Sequence, residues 1–171
     1  MIFVTVGTNE LPFDRLVKRV DRLKAEGFID DDVFMQIGYS NYLPRSCEYK
    51  RLIGFQDIQK MCSMAKIIVT HGAPSSIALS LHFNKIPIVI PRKRKYQEYM
   101  NEQQVLFTRM IEKKGGQIIP VYEINYLCEA IRSYDVLVRR MKCNPPNAER
   151  NSTVIMAYIE RLDNICQDQL D

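Results

Sequence analysis

The sequence predicts an α/β fold built on a parallel sheet with helices on both faces. Two observations carry this. Short β-branched runs, such as "IFVTVG" at 2–7 and "IPIVIP" at 86–91, alternate along the chain with segments of helical periodicity ten or more residues long. The length, 171 residues, fits a single domain 1–171 with a proper core.

Each element follows in order. Residues 2–7 end in glycine and read as the first strand. "PFDRLVKRVDRLKAEG" reads as a helix: Pro12 suits a first turn, Phe13, Leu16, Val17, Val20 and Leu23 recur at helical spacing, and Gly27 suits its end. Residues 32–38 form the second strand, and 47–55 carry a short third one. A helix over 57–65 has Asp57 near its N-cap. The fourth strand runs from Ile67 to Thr70, and a helix follows near Ser75 to Phe83. "PIVIP" is the fifth strand and "RKRKYQEY" a polar loop. A helix in 100–116 closes at Gly115 and Gly116, and "QIIPVY" is the sixth strand. "EINYLCEAIRSYDVLVRRM" is mostly helix, ended by Pro145 and Pro146. A final helix over about 149–167 is expected to pack back on the domain, joined by a linker-like stretch at 142–152.

Composition excludes several classes. A formal charge of +4, with basic and acidic residues mostly interspersed, does not call for nucleic acid. No apolar run approaches the roughly 20 residues of a membrane-spanning helix. "MIFVTVG" has neither a basic start nor a cleavage pattern, so no signal peptide is expected. The five cysteines are scattered without a CxxC pair, and with two histidines no metal site is expected. Reduced thiols in a cytoplasmic setting fit this usage.

In parallel sheets ligands sit beyond the carboxyl ends of the strands. Here that edge carries Gly7-Thr8-Asn9, Gly54-Phe55, Thr70 to Ser76 and Pro91 to Glu98. "THGAPSS" is the most suggestive of these. A fresh helix N-terminus has unsatisfied N–H groups and partial positive charge, small residues allow close approach, and Ser75 and Ser76 add hydroxyls. The combination suits a phosphate or pyrophosphate. The same joint also serves as a plain N-cap. His71 reads either as a donor to phosphate or sugar or as a histidine bonded at a strand end, and His82 reads as structural. Arg92 to Lys95 neutralise a diphosphate, meet an acidic partner, or form a solvated loop. No GxGxxG and no Walker-type loop occurs.

"IFVTVGT", "PFDRLV", "GYS", "CEYKRLIGF", "THGAPSSI", "KIPIVIPR" and "EYMNEQQ" appear in that order across about 1–135. As an ordered set they resemble the small donor-binding subunit of two-component bacterial exopolysaccharide and capsule glycosyltransferases, similar to the C-terminal domain of glycosyltransferase family 28. The resemblance implies a Rossmann-like domain equivalent to the C-terminal half of a GT-B enzyme. It implies a UDP-sugar donor, no further cofactor, and inverting transfer to a lipid-linked saccharide. It also implies a membrane-anchored partner subunit that carries the acceptor half and holds this chain at the inner face of the membrane.

By the same resemblance Gly7, Thr8 and Asn9 face the donor, and Phe55 and Gln56 hold the base. Gly72, Ala73, Pro74, Ser75 and Ser76 cradle the diphosphate. His71 and Arg92 stabilise the leaving group, and Glu98 and Gln104 contact sugar or ribose. Ala73 and Ser75 stand where the family has glycine, Asn9 where a histidine is common, and Tyr99, Asn101, Glu102 and Gln103 where it prefers His, Asp, Asp and His. These departures motivate an alternative, a non-catalytic protein that stabilises or localises a glycosyltransferase. A phosphosugar isomerase or epimerase on a similar sheet is a weaker reading, because His71 and Glu98 alone make a poor acid/base cluster.

Overall fold

In the computed structural model, which describes residues 1–115 and 117–143, six parallel strands run in the order β3-β2-β1-β4-β5-β6. The strands are β1 Ile2–Thr5, β2 Val33–Gln36, β3 Glu48–Lys50, β4 Ile67–His71, β5 Ile88–Ile90 and β6 Ile119–Pro120. The helices are α1 Asp14–Ala25, α2 Phe55–Met64, α3 Pro74–His82, α4 Gln103–Lys113, α5 Leu127–Arg132 and α6 Tyr134–Cys143. The strand order reverses between β1 and β4, which opens a crevice at their carboxyl ends. The final helix expected over about 149–167, and most of the linker before it, lie outside the described residues.

Alternation along the strands divides the apolar residues between two layers. Ile2, Val4, Ile67, Val69, Ile88 and Ile90 join Leu16, Val17 and Val20 of α1 and Leu127 and Ile131 of α5 in one cluster. The opposite side chains, Phe3 and Ile68, meet Cys62 of α2, and Val89 meets Ile77 of α3 and Phe107 of α4. The sheet is therefore covered on both faces, as its near-continuous apolar strands require.

Boundaries differ from expectation where local caps decide them. α2 begins at Phe55, because extended Gly54 serves as its N-cap and Asp57 falls in the first turn. α3 begins at Pro74, with Ala73 as N-cap. The long helix expected after Glu123 is a 3-10 turn at Ile124–Tyr126 followed by α5 and α6, which meet at Ser133. Glu129 accepts the Ser133 amide, and Ser133 in turn accepts the Leu137 amide, so the two short helices are coupled end to end.

Candidate functional site

A cleft of about 840 Å³ opens at the crevice, with Gly7, Thr8, Phe55, His71, Ser75 and Ser76 among its walls. α3 starts here. Pro74 fills its first turn, where a missing N–H costs nothing, and no side chain caps it. The first-turn amides therefore point outward from the joint with their partial positive charge. The turn before it is held from behind. Gln104 Oε1 accepts the Gly72 amide at 3.2 Å and the Arg92 amide at 3.1 Å, tying the ends of β4 and β5 together. A Cβ on Gly72 would lie 2.9 Å from Thr108 Oγ1 and 3.0 Å from the Gln104 carbonyl oxygen, so α4 itself requires glycine there.

His71 is buried at the end of β4. Burial, reinforced by the nearby Arg92 charge, pushes its pKa down to about 3, while a hydrogen bond with the Thr5 backbone pulls the other way. The imidazole is thus neutral near pH 7 and offers a hydrogen bond rather than a charge. Gly7 lies against it. With φ of +75° and a would-be Cβ 2.5 Å from His71 Cε1, this position excludes a side chain on both conformational and steric grounds.

The loop after β5 is organised differently. Arg92, expected at the diphosphate, is fully buried. Its Nη1 donates to the carbonyls of Leu11 and Glu98 at 2.8 and 3.0 Å, its Nη2 to Val6 at 2.8 Å, and its guanidinium stacks 4.7 Å from the Phe13 ring centroid. Glu98, expected at the sugar, receives the Arg15 fork in two 2.8 Å hydrogen bonds and the Lys93 amide at 3.0 Å. Lys93 Nζ meets Glu123 at 2.8 Å. The physical reason is desolvation: charges this deep persist only when the fold supplies partners, and here only Arg92 Nε is left without one.

The structure thus brings Gly7, Thr8, Phe55, His71, Ser75 and Ser76 together, with Gly72, Ala73 and Pro74 as the turn behind them. Among the described residues, Asn9, Gln56, Arg92, Glu98 and Gln104 do not line the cleft. Asn9 Oδ1 accepts the Leu11 amide at 2.9 Å and so stabilises its own loop, while Gln56 sits exposed in the first turn of α2. Sequence reading missed Thr5, Gln36, Ile58, Cys62 and Leu79 among the residues that line the cleft, and His82, read there as structural, lines it too. A signal existed for the first two: polar residues end strands that are otherwise apolar. Among the described residues, no group of three or more His, Cys, Asp or Glu side chains is placed to hold a metal ion. No helix among them is long and apolar enough to cross a membrane.

A doubly wound parallel sheet with an open helix N-terminus at its switch point defines a class, the Rossmann-like C-terminal half of GT-B glycosyltransferases. The chain belongs to the glycosyltransferase family 28 C-terminal domain family, whose model matches residues 1–153. Among solved structures it is similar to the glycotransferase of kitacinnamycin, with 16% identity and a TM-score of 0.55, over 99% of this chain and 43% of that one. The glycosyltransferase SnogD from Streptomyces nogalater also matches, with 17% identity, a TM-score of 0.39, and coverage of 91% and 43%. No curated protein matches the chain. At such identities the likeness is one of fold.

Proposed function

We propose that this chain is the UDP-sugar-binding catalytic subunit of a two-chain inverting hexosyltransferase. A membrane-anchored partner subunit supplies the acceptor half and presents a lipid-linked saccharide at the inner face of the membrane, in exopolysaccharide or capsule synthesis. The observation that carries the reading is the uncapped start of α3, opening on the cleft opposite Gly7 and His71. The two-chain arrangement rests on the resemblance carried by the ordered motifs across about 1–135.

In this mechanism the acceptor hydroxyl attacks the anomeric carbon while the bond from that carbon to the diphosphate oxygen breaks. Charge then grows on the diphosphate. The α3 amides and the Ser75 and Ser76 hydroxyls stabilise it, with neutral His71 as a hydrogen-bond donor. Arg92 acts at one remove, by holding the loops around the cleft. The base that takes the acceptor proton belongs to the partner. The engagement of Arg92 and Glu98 in the fold supports a second reading, a non-catalytic stabilising partner of a glycosyltransferase.

Calorimetric titration with UDP separates the two. The catalytic reading expects micromolar binding that Ser75→Glu weakens at least tenfold, about 1.4 kcal/mol. A carboxylate there occupies the anion position, yet favours the helix end by about 0.3–1 kcal/mol, so the fold is kept. Absence of UDP binding in the assembled complex favours the stabilising role. Full transfer activity by this chain without any partner overturns the two-chain arrangement.

A further inference from the structure

On the face covered by α2 and α3, one rung of the sheet is Phe34, Phe3 and Ile68, in register across β2, β1 and β4. Two residues further on, the same face carries Gln36, Thr5 and Thr70, again in register and all buried. A polar rung inside an apolar layer needs an explanation. Thr70 Oγ1 lies 3.4 Å from His71 Nδ1. Thr5 and Gln36 form part of the cleft wall.

The Thr5–Gln36 pair engages the oxygen end of the Gln36 amide. Thr5 Oγ1 accepts the Gly7 amide at 3.2 Å and donates its own proton to Gln36 Oε1 at 2.7 Å. That leaves Nε2 as the unengaged end of the amide, in a residue that lines the cleft. Gln36 is 1% exposed, yet its Nε2 has no hydrogen-bond partner. A buried, unpartnered N–H is costly, and such groups persist where something else supplies the acceptor.

We propose that Gln36 reads the nucleobase: its Nε2 donates to a base carbonyl, so the cleft selects keto bases such as uracil over amino bases such as cytosine. This rests on the reading of the cleft as a nucleoside diphosphate site. Position supports a base rather than a phosphate at Gln36. β2 lies two strands from β4, which leads into α3. At strand spacing that is about 10 Å from the open helix end, the scale that separates a base from its diphosphate. The neighbouring wall of Phe55, Ile58 and Leu79 is apolar and suits a ring. A fixed amide donor discriminates by contact: a carbonyl completes it, whereas an amino group sets N–H against N–H and leaves both unpaired.

The test titrates the full chain with UDP, CDP and inorganic pyrophosphate. The expected result is UDP at least tenfold tighter than CDP. The Gln36 side-chain amide resonances shift with UDP and stay in place with pyrophosphate, which takes only the helix end. Gln36→Met removes the donor at similar volume and brings the UDP-to-CDP ratio close to one. Equal affinities in the wild type, resonances unmoved by UDP, or a ratio kept in Gln36→Met each overturn the proposal. Should that variant misfold, the wild-type ratio and resonances decide. A wild type that binds none of the three ligands overturns the nucleotide reading of the cleft and this proposal with it. Binding of UDP without discrimination against CDP overturns the role of Gln36 alone.

Discussion

The two sides of the sheet's carboxyl edge are built from opposite materials. The β4–α3 joint has glycine, alanine, proline, two serines and a neutral histidine, and its helix end is open. The β5–α4 loop holds Arg92, Lys93 and Glu98, and with Arg15 of α1 and Glu123 after β6 they are paired with each other or with backbone carbonyls. The charged side is the rigid one and the uncharged side is the receptive one. Burial explains the inversion. A charge inside the domain must satisfy its neighbours before it can serve a ligand, whereas backbone amides at a helix start are fixed by the helix and stay available.

The comparison breaks most visibly at Arg92. Arg92→Met keeps the stem against Phe13 but leaves the Val6, Leu11 and Glu98 carbonyls without their donor. A stability loss of about 3–5 kcal/mol is expected from urea unfolding. Ser75→Glu, at the open start of α3, is expected to change stability by no more than about 1 kcal/mol. A loss below about 1 kcal/mol for Arg92→Met would mean that the loops are held by something else.

His71 gives the next largest effect, and it depends on pH. Its pKa falls from an ordinary 6.5 to about 3 on folding, because burial and Arg92 oppose the imidazolium. Between those values the unfolded chain binds the extra proton and the folded chain does not, so stability rises with pH. The contribution is full above 6.5 and is lost as pH falls through the window. A loss of about 1.5 kcal/mol is expected between pH 6.5 and roughly pH 5. Asp21 leaves this window clear. Burial alone would raise its pKa, but hydrogen bonds from the Arg45 amide, Tyr42 and the Ser46 amide hold it below 3.8. Its contribution is therefore lost only in stronger acid. Urea midpoints of wild type and His71→Gln across the window check the assignment, the variant being expected flat.

Much of this was legible in the sequence, for physical reasons that differ by element. The strands and their order of faces follow from alternation, and the α3 joint from small residues after a β-branched run. The fate of "RKRK" was not legible. Residue type says that Arg92 carries charge, while its direction depends on Val6, Leu11 and Glu98, which meet it only through the fold. Gln104 shows the same limit: the family resemblance implies a contact with sugar or ribose, and tertiary structure makes it a strap between two strand ends. Gln36 was missed although a polar residue closes an otherwise apolar strand there, because what it faces is set by Thr5 across the sheet.

Asn9 sharpens the comparison with the smallest effect. It belongs to the loop after β1, beside cleft residues Gly7 and Thr8, and from sequence alone it was expected to face the donor. Its carboxamide oxygen instead accepts the Leu11 amide at 2.9 Å, an Asx turn that shapes the path toward α1. The Leu11 carbonyl next to that amide receives Arg92 at 2.8 Å, so Asn9 belongs mechanically to the rigid side of the edge. Asn9→Ala removes one partly buried hydrogen bond, and a loss of about 0.5–1.5 kcal/mol is expected in urea unfolding. Because the side chain is turned into its own loop, UDP affinity should stay within twofold in calorimetric titration. A tenfold fall in affinity at unchanged stability would move Asn9 to the receptive side and redraw the boundary between the two.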